Sequence, residues 1–297
     1  MISTTFQQGL RALWLALVST LLISVSAAAL AAPALWAVND EDTTVYVFGT
    51  IHVMKPETTW RTSRFNAAFK EADTLLLEVD NPQDQAKILP LIREHGLSPT
   101  HPLSSLLSEK DLARLDVVAK SVGLSATRLD PMRPWLAALS LATAPLRKAG
   151  YDPESGVDAV LRKDAASTDK PVHGLETLDQ QFRLLASFPE DGQVAYLVRT
   201  LNDFENGEAQ LNLLIKAWVD GDVAAVEQIG VRPMRALSER VYQTLLIERN
   251  RNWADQIALI MGKPGKVFVA VGALHLAGDD NLLQVLKTNG LSIERIQ

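Results

Sequence analysis

Apolar residues come in short unbroken bursts near both ends of this chain and recur at helical spacing through its middle. Near the N-terminal end, the apolar run of residues 35–38 and the β-prone run of 43–48 flank the polar Asn39-Asp40-Glu41-Asp42, which predicts a hairpin. The second run continues as Phe48-Gly49-Thr50-Ile51-His52. Residues 60–72 place Phe65, Ala68, Phe69 and Ala72 on one helical face. Thr74-Leu75-Leu76-Leu77-Glu78-Val79-Asp80 then carries the continuous apolar run of a strand buried on both faces. Strand, helix and strand in this order predict a βαβ unit with parallel strands, and residues 45–52 beside residues 75–78.

From residue 83 to about 261 the pattern is helical. Pro90 should kink the segment 83–95, which closes on His95-Gly96. Ser108 is the expected N-cap of a helix to Val122, and Pro134 the first turn of another. Residues 171–177 interrupt as a short strand that ends in Glu176. Residues 237–261 form the longest helical pattern, stopped by Gly262-Lys263-Pro264-Gly265. A strand from Val267, a helix over 281–288 and a strand over 291–296 complete the chain. The expected fold class is α/β: a central mixed, partly parallel sheet built from both chain ends. A large helical insertion (83–261) divides it, all within one domain over residues 32–297.

The C-terminal run Val267-Phe268-Val269-Ala270-Val271-Gly272-Ala273-Leu274-His275 repeats the design of the first: buried strand, glycine, two residues, histidine. A lone Gly-x-x-His is weak, and either histidine alone reads as core. Two copies, each directly after an apolar strand, predict that His52 and His275 share a site. Four strand-like runs end in residues that bind metals: His52, Glu78, Glu176 and His275. In open α/β sheets ligands bind at the carboxyl ends of the strands. An ionised Glu78 inside an apolar strand is costly unless it is paired or ligating. Glu176 is equally consistent with a role at the start of the helix that follows it. Arg249 interrupts the stripe Leu245, Trp253, Ile257, either as a snorkelling or ion-paired arginine or as a binder of an oxyanion or carboxylate. His95, His101 and His173 are set aside as primary ligands.

Composition narrows the chemistry. The chain has 297 residues, no cysteine and a net charge of −6. A thiol nucleophile and a zinc–thiolate site are excluded, and an acidic chain without a basic cluster does not fit nucleic acid. Any metal sits in a nitrogen and oxygen shell suited to zinc, manganese or cobalt. No Gly-x-Ser-x-Gly, phosphate-binding glycine loop or His-Glu-x-x-His occurs. Arg11 precedes an apolar run over residues 12–25 and then Ala29-Leu30-Ala31, the pattern of a signal peptide cleaved after Ala31 (1–31); the alternative is a retained anchor. The mature chain is expected to be exported, periplasmic in a Gram-negative host, with no stable membrane span.

The ordered set Phe48-Gly49-Thr50-Ile51-His52, Leu77-Glu78-Val79-Asp80, Arg133-Pro134-Trp135, Gly156-Val157-Asp158, Gly174-Leu175-Glu176-Thr177, Glu248 to Trp253 and Val271-Gly272-Ala273-Leu274-His275-Leu276 resembles the TraB/GumN family. That family is related to the Tiki metalloproteases and more distantly to erythromycin-esterase-like and ChaN-like proteins. The resemblance implies a metal site on His52, Glu78 and His275, and makes Glu176 and Arg249 pocket residues. It implies an exported metal-dependent hydrolase, a peptidase by the Tiki precedent. Glu176 would then be a fourth ligand or general base, and Arg249 an oxyanion or carboxylate binder. The competing expectation is a binding protein that sequesters a peptide or small ligand in the same pocket without turnover. A third, by the distant relatives, is an ester hydrolase or haem-handling protein.

Overall fold

The computed structural model describes residues 31–297. The expected signal segment (1–31) lies outside them apart from Ala31, while residues 32–297 form one compact unit. Among the described residues six strands make one sheet: β1 (Leu35–Asn39), β2 (Thr43–Thr50), β3 (Thr74–Val79), β4 (Val172–Glu176), β5 (Gly265–Gly272) and β6 (Ser292–Arg295). Their order across the sheet is β4-β3-β5-β2-β1-β6. β4, β3, β5 and β2 are mutually parallel; β1 runs antiparallel to both β2 and β6. The α/β class, the mixed sheet and the contribution of both chain ends are as the sequence predicts. No helix among the described residues is long and apolar enough to cross a membrane.

One expectation is overturned. β2 and β3 are parallel but not neighbours, because the late strand β5 lies between them and pairs with both. The physical reason lies in β5 itself. Its Phe268, Val269, Ala270 and Val271 are all buried, so it needs cover on both faces and partners on both edges.

Alternate residues of the central strands feed two cores. Tyr46, Phe48, Phe268 and Ala270 face one layer of helices; Val45, Val47, Val269 and Val271 face the other. On the first face the Phe48 ring lies 4.7 Å from that of Phe65, 5.8 Å from Trp60 and 5.9 Å from Trp218. Burying each such ring stabilises by about 1.5–3 kcal/mol. On the second face Trp253 and Ile257 pack beside Leu282 and Leu286. A third core, in the helical middle, gathers Leu115, Leu141, Leu197 and Leu201.

Ser108 caps the helix Glu109–Ser121, and Pro134 opens Pro134–Lys148, both as expected. The segment 83–95 is helical over Gln85–Leu91 and then widens into a π turn after Pro90, whose missing N–H weakens the regular ladder. The helix expected over 237–261 starts two residues late: Ser238 is extended and accepts a hydrogen bond from the Val241 N–H, and the chain is then continuously helical from Glu239 to Met261, with a π segment at Gln243–Ile247.

Candidate functional site

His52 follows the end of β2, Glu78 is the penultimate residue of β3, Glu176 ends β4, and His275 sits in the short helical turn Ala273–Leu276 after β5. All four therefore stand at the carboxyl ends of parallel strands. A Cβ added to Gly272 would lie 3.0 Å from Glu78 Oε1 and 3.7 Å from both His52 Nε2 and His275 Cδ2. The two imidazoles and the carboxylate thus converge over one glycine, which any larger side chain would crowd.

Each histidine is held through Nδ1 by an oxygen acceptor. His52 Nδ1 lies 2.8 Å from Asp158 Oδ2. A carboxylate only accepts, so this nitrogen carries the proton and Nε2 is left toward Gly272. Asp158 is in turn fixed by the Thr50 hydroxyl, which donates to Oδ1 at 2.8 Å. Asp158 arrives there because Gly156 packs against the His52 backbone: a Cβ on Gly156 would lie 2.1 Å from the His52 carbonyl oxygen. The helix Val157–Ser167 then brings Asp158 in on its first turn. His275 Nδ1 lies 2.7 Å from Asn250 Oδ1, and its Nε2 faces Arg249 Nη1 at 3.0 Å. A guanidinium only donates, so Nε2 accepts and Nδ1–H donates to Asn250.

The two rings carry opposite protonation tendencies. The Asp158 carboxylate raises the His52 pKa to about 9, against an opposing desolvation. The side chain is 65% exposed, so solvent screening trims the shift. Burial, with Arg249 beside it, lowers the His275 pKa to about 3 and keeps that ring neutral.

Glu78 and Glu176 flank Arg249. Arg249 Nη2 donates to Glu78 Oε2 at 2.7 Å; its Nε and Nη2 donate to Glu176 Oε1 and Oε2, each at 2.9 Å. The Gly272 N–H donates to Glu78 Oε1 at 2.7 Å, and Gln181 Nε2 to Glu78 Oε2 at 3.3 Å. Burial alone would raise the Glu78 pKa; the Arg249 guanidinium and the Gly272 N–H reverse this and hold the carboxyl well below the usual range. Arg249 also lies over Trp253, with its central carbon 4.5 Å from the ring centroid. The arginine in the apolar stripe is therefore ion-paired at the site itself, rather than snorkelling away from it.

The donors fit a metal in kind: two imidazoles with Nδ1 oriented by oxygen acceptors, and a carboxylate with one oxygen turned toward them. As they stand, no three His, Asp or Glu side chains among the described residues are close enough together to hold an ion. Glu176 is turned onto Arg249 rather than toward His52. His173 is exposed on the edge strand β4, and His95 and His101 lie in the helical middle. A cleft of about 320 Å³ opens onto His52, Glu78, Asp158, Arg162 and Gln181.

Asp158, Asn250 and Gln181 are site residues that sequence reasoning alone assigns no role. Asp158 reads as an ordinary acidic first-turn residue, and Asn250 as a polar neighbour of Arg249.

The TraB/PrgY/gumN family model matches residues 34–295. Among curated proteins the chain is similar to the uncharacterized protein YbaP of Escherichia coli (strain K12) and to that of Shigella flexneri. Each is 27% identical over 242 residues, covering 82% of this chain and 87% of the relative. No solved structure matches significantly.

Proposed function

The chain belongs to the TraB/PrgY/gumN family, and from that premise we propose that it is a metal-dependent hydrolase acting on peptides. One observation carries this reading: both motif histidines are clamped at Nδ1 by an oxygen acceptor, as metal-ligating histidines are, although His275 Nε2 would have to give up Arg249 Nη1 to take an ion. A divalent ion (zinc, manganese or cobalt) held by His52, Glu78 and His275 would polarise a carbonyl and lower the pKa of water toward neutrality. Around it the chain's own residues orient and exclude. Asp158 and Asn250 fix the two rings. Arg249 brings a positive charge for a substrate carboxylate or a developing oxyanion. Glu176 serves by holding the Arg249 guanidinium in place, in preference to the ligand or general-base role read from sequence. The cleft beside His52 and Glu78 receives the substrate. The apolar run and Ala29-Leu30-Ala31 support export of the chain, to the periplasm in a Gram-negative host.

A second reading, binding without turnover, draws on Arg249. Each of its guanidinium nitrogens makes contacts within the chain, to Glu78, Glu176, His275 and the Leu245 carbonyl. The test is elemental analysis of the purified protein beside His52→Ala and His275→Ala, with peptide mixtures followed by mass spectrometry. Metal in the parent, its loss in both variants and new peptide products support hydrolysis. Intact peptides with every divalent metal tried support sequestration. Metal content unchanged in both variants sinks the site.

A further inference from the structure

Arg249 is fully committed within the centre: it donates to Glu78, Glu176 and the Leu245 carbonyl and faces His275 Nε2. A second arginine lines the cleft and is not so committed. Arg162 lies four residues after Asp158 on the helix Val157–Ser167, so the two share a face. It is half-buried, and its Nε donates to the Asp80 carbonyl at 2.8 Å, which fixes the guanidinium. Among the described residues neither Nη1 nor Nη2 has a hydrogen-bond or ion-pair partner. Those two donors form the half of a fork that matches a carboxylate.

Three carboxylates stand near Arg162, and each is engaged elsewhere. Asp158 holds His52 and Thr50, Glu154 Oε1 accepts from Gln83 Nε2 at 2.8 Å, and Asp80 Oδ1 accepts from the Asn81 N–H at 2.7 Å. Burial outweighs their attraction and lowers the Arg162 pKa. The cation is thus desolvated without a matching anion.

Spacing sets what it can receive. The helix rises about 6 Å from Asp158, which touches His52, to Arg162. The extended chain runs about 7 Å from Glu78 to Asp80, which anchors Arg162. Either length is the span of one peptide residue plus a hydrogen bond. The cleft volume of about 320 Å³ lies at the small end of the range for ligand sites and suits a chain end.

We propose that Arg162 receives the C-terminal carboxylate of a short peptide, with the last peptide bond lying over His52, Glu78 and His275. This rests on the reading that the cleft takes peptides, and it holds whether the peptide is cut or only bound. Cutting there adds one water across the amide: the carbonyl carbon gains the hydroxyl, and the last residue's nitrogen gains the proton and leaves as a free amino acid.

The probes are two pools of N-acetylated tripeptides with uncharged side chains, alike except for a free carboxylate or an amide at the C-terminus, and a third, amidated pool carrying one aspartate. Ultrafiltration and mass spectrometry of the purified full chain with each pool read retention and cleavage together. Free acids should be retained or consumed at least about tenfold better than amides, the scale of a charge-assisted hydrogen bond. Arg162→Gln should weaken the acids by about tenfold and leave the amides unchanged, and Arg162→Lys should restore part of the preference. Equal treatment of acids and amides by the parent, or retention of neither, overturns the proposal without any variant. A preference that survives Arg162→Gln, or equal weakening of both pools by it, overturns the assignment to Arg162. Preference for the aspartate pool over the free acids overturns the C-terminal assignment. Acids retained over amides, with that preference lost in Arg162→Gln and no product formed, support this inference and count against hydrolysis alone.

Discussion

The two Gly-x-x-His segments look alike in sequence and live in different worlds. His275 is buried, neutral and wedged between Asn250, Arg249 and Trp253; His52 is open to solvent and leans on a carboxylate. Their glycines differ too. The β2–β5 register sets Thr50, not Gly49, opposite Gly272. One residue of offset turns a position to the other face of a sheet. Gly49 accordingly packs against Ala273, while Gly272 clears room for Glu78 and the two imidazoles. A repeated motif therefore fixes where the backbone delivers a histidine. The partners that set its charge come from elsewhere in the chain.

The buried arm should break hardest. Arg249→Leu leaves Glu78 and Glu176 facing each other without their cation, and all three side chains are nearly buried. A loss of about 3–5 kcal/mol in urea unfolding is expected; a loss below about 1 kcal/mol would show that water compensates the carboxylates. Asn250→Leu removes the acceptor of the His275 Nδ1–H and should cost about 1–3 kcal/mol in the same measurement.

Titration sharpens the contrast without breaking the fold. In imidazole NMR, His52 should titrate above its ordinary value, short of about 9, and His275 should stay neutral down to about pH 3. The signs of linkage are opposite. The raised pKa of His52 contributes stability that is full below its unfolded value and is lost as pH rises toward 9. The lowered pKa of His275 contributes stability that is full above its unfolded value and is lost as pH falls toward 3. Unfolding midpoints in His52→Gln should lose the alkaline slope, and those in His275→Gln the acid one. If both rings titrate together, the contrast fails.

The smallest effect belongs to the exposed arm. Asp158→Asn should return the His52 pKa toward its ordinary value and cost about 1 kcal/mol in urea unfolding, because only the His52 side of the pair is open to solvent and the amide oxygen still accepts from Thr50.

Much of this geometry is legible in the chain. Buried strands announce themselves by length and apolar continuity, and the four strand-end residues follow from them. The order of β2, β5 and β3 is not legible, because parallel strands buried on both faces carry no mark of which neighbour each takes. The π segment at Gln243–Ile247 is not legible either, because one wide turn inside a continuous helix shifts the apolar pattern too little to mark it. Asp158 and Asn250 fall inside the family motifs but carry no mark of their role, and Gln181 carries no signal at all, because each is an ordinary helix residue until the backbone aims it.

The insertion of β5 between β3 and β2 has a consequence for the chain as it is made. β2 and β3 leave the ribosome early, and neither has its central partner until nearly the whole polypeptide has been synthesised. Until then both present an unpaired edge, and His52 and Glu78 have no His275 to meet. The nascent chain must be kept from aggregating through most of translation. Any truncation that removes the last strands leaves the centre of the sheet empty rather than trimming its margin.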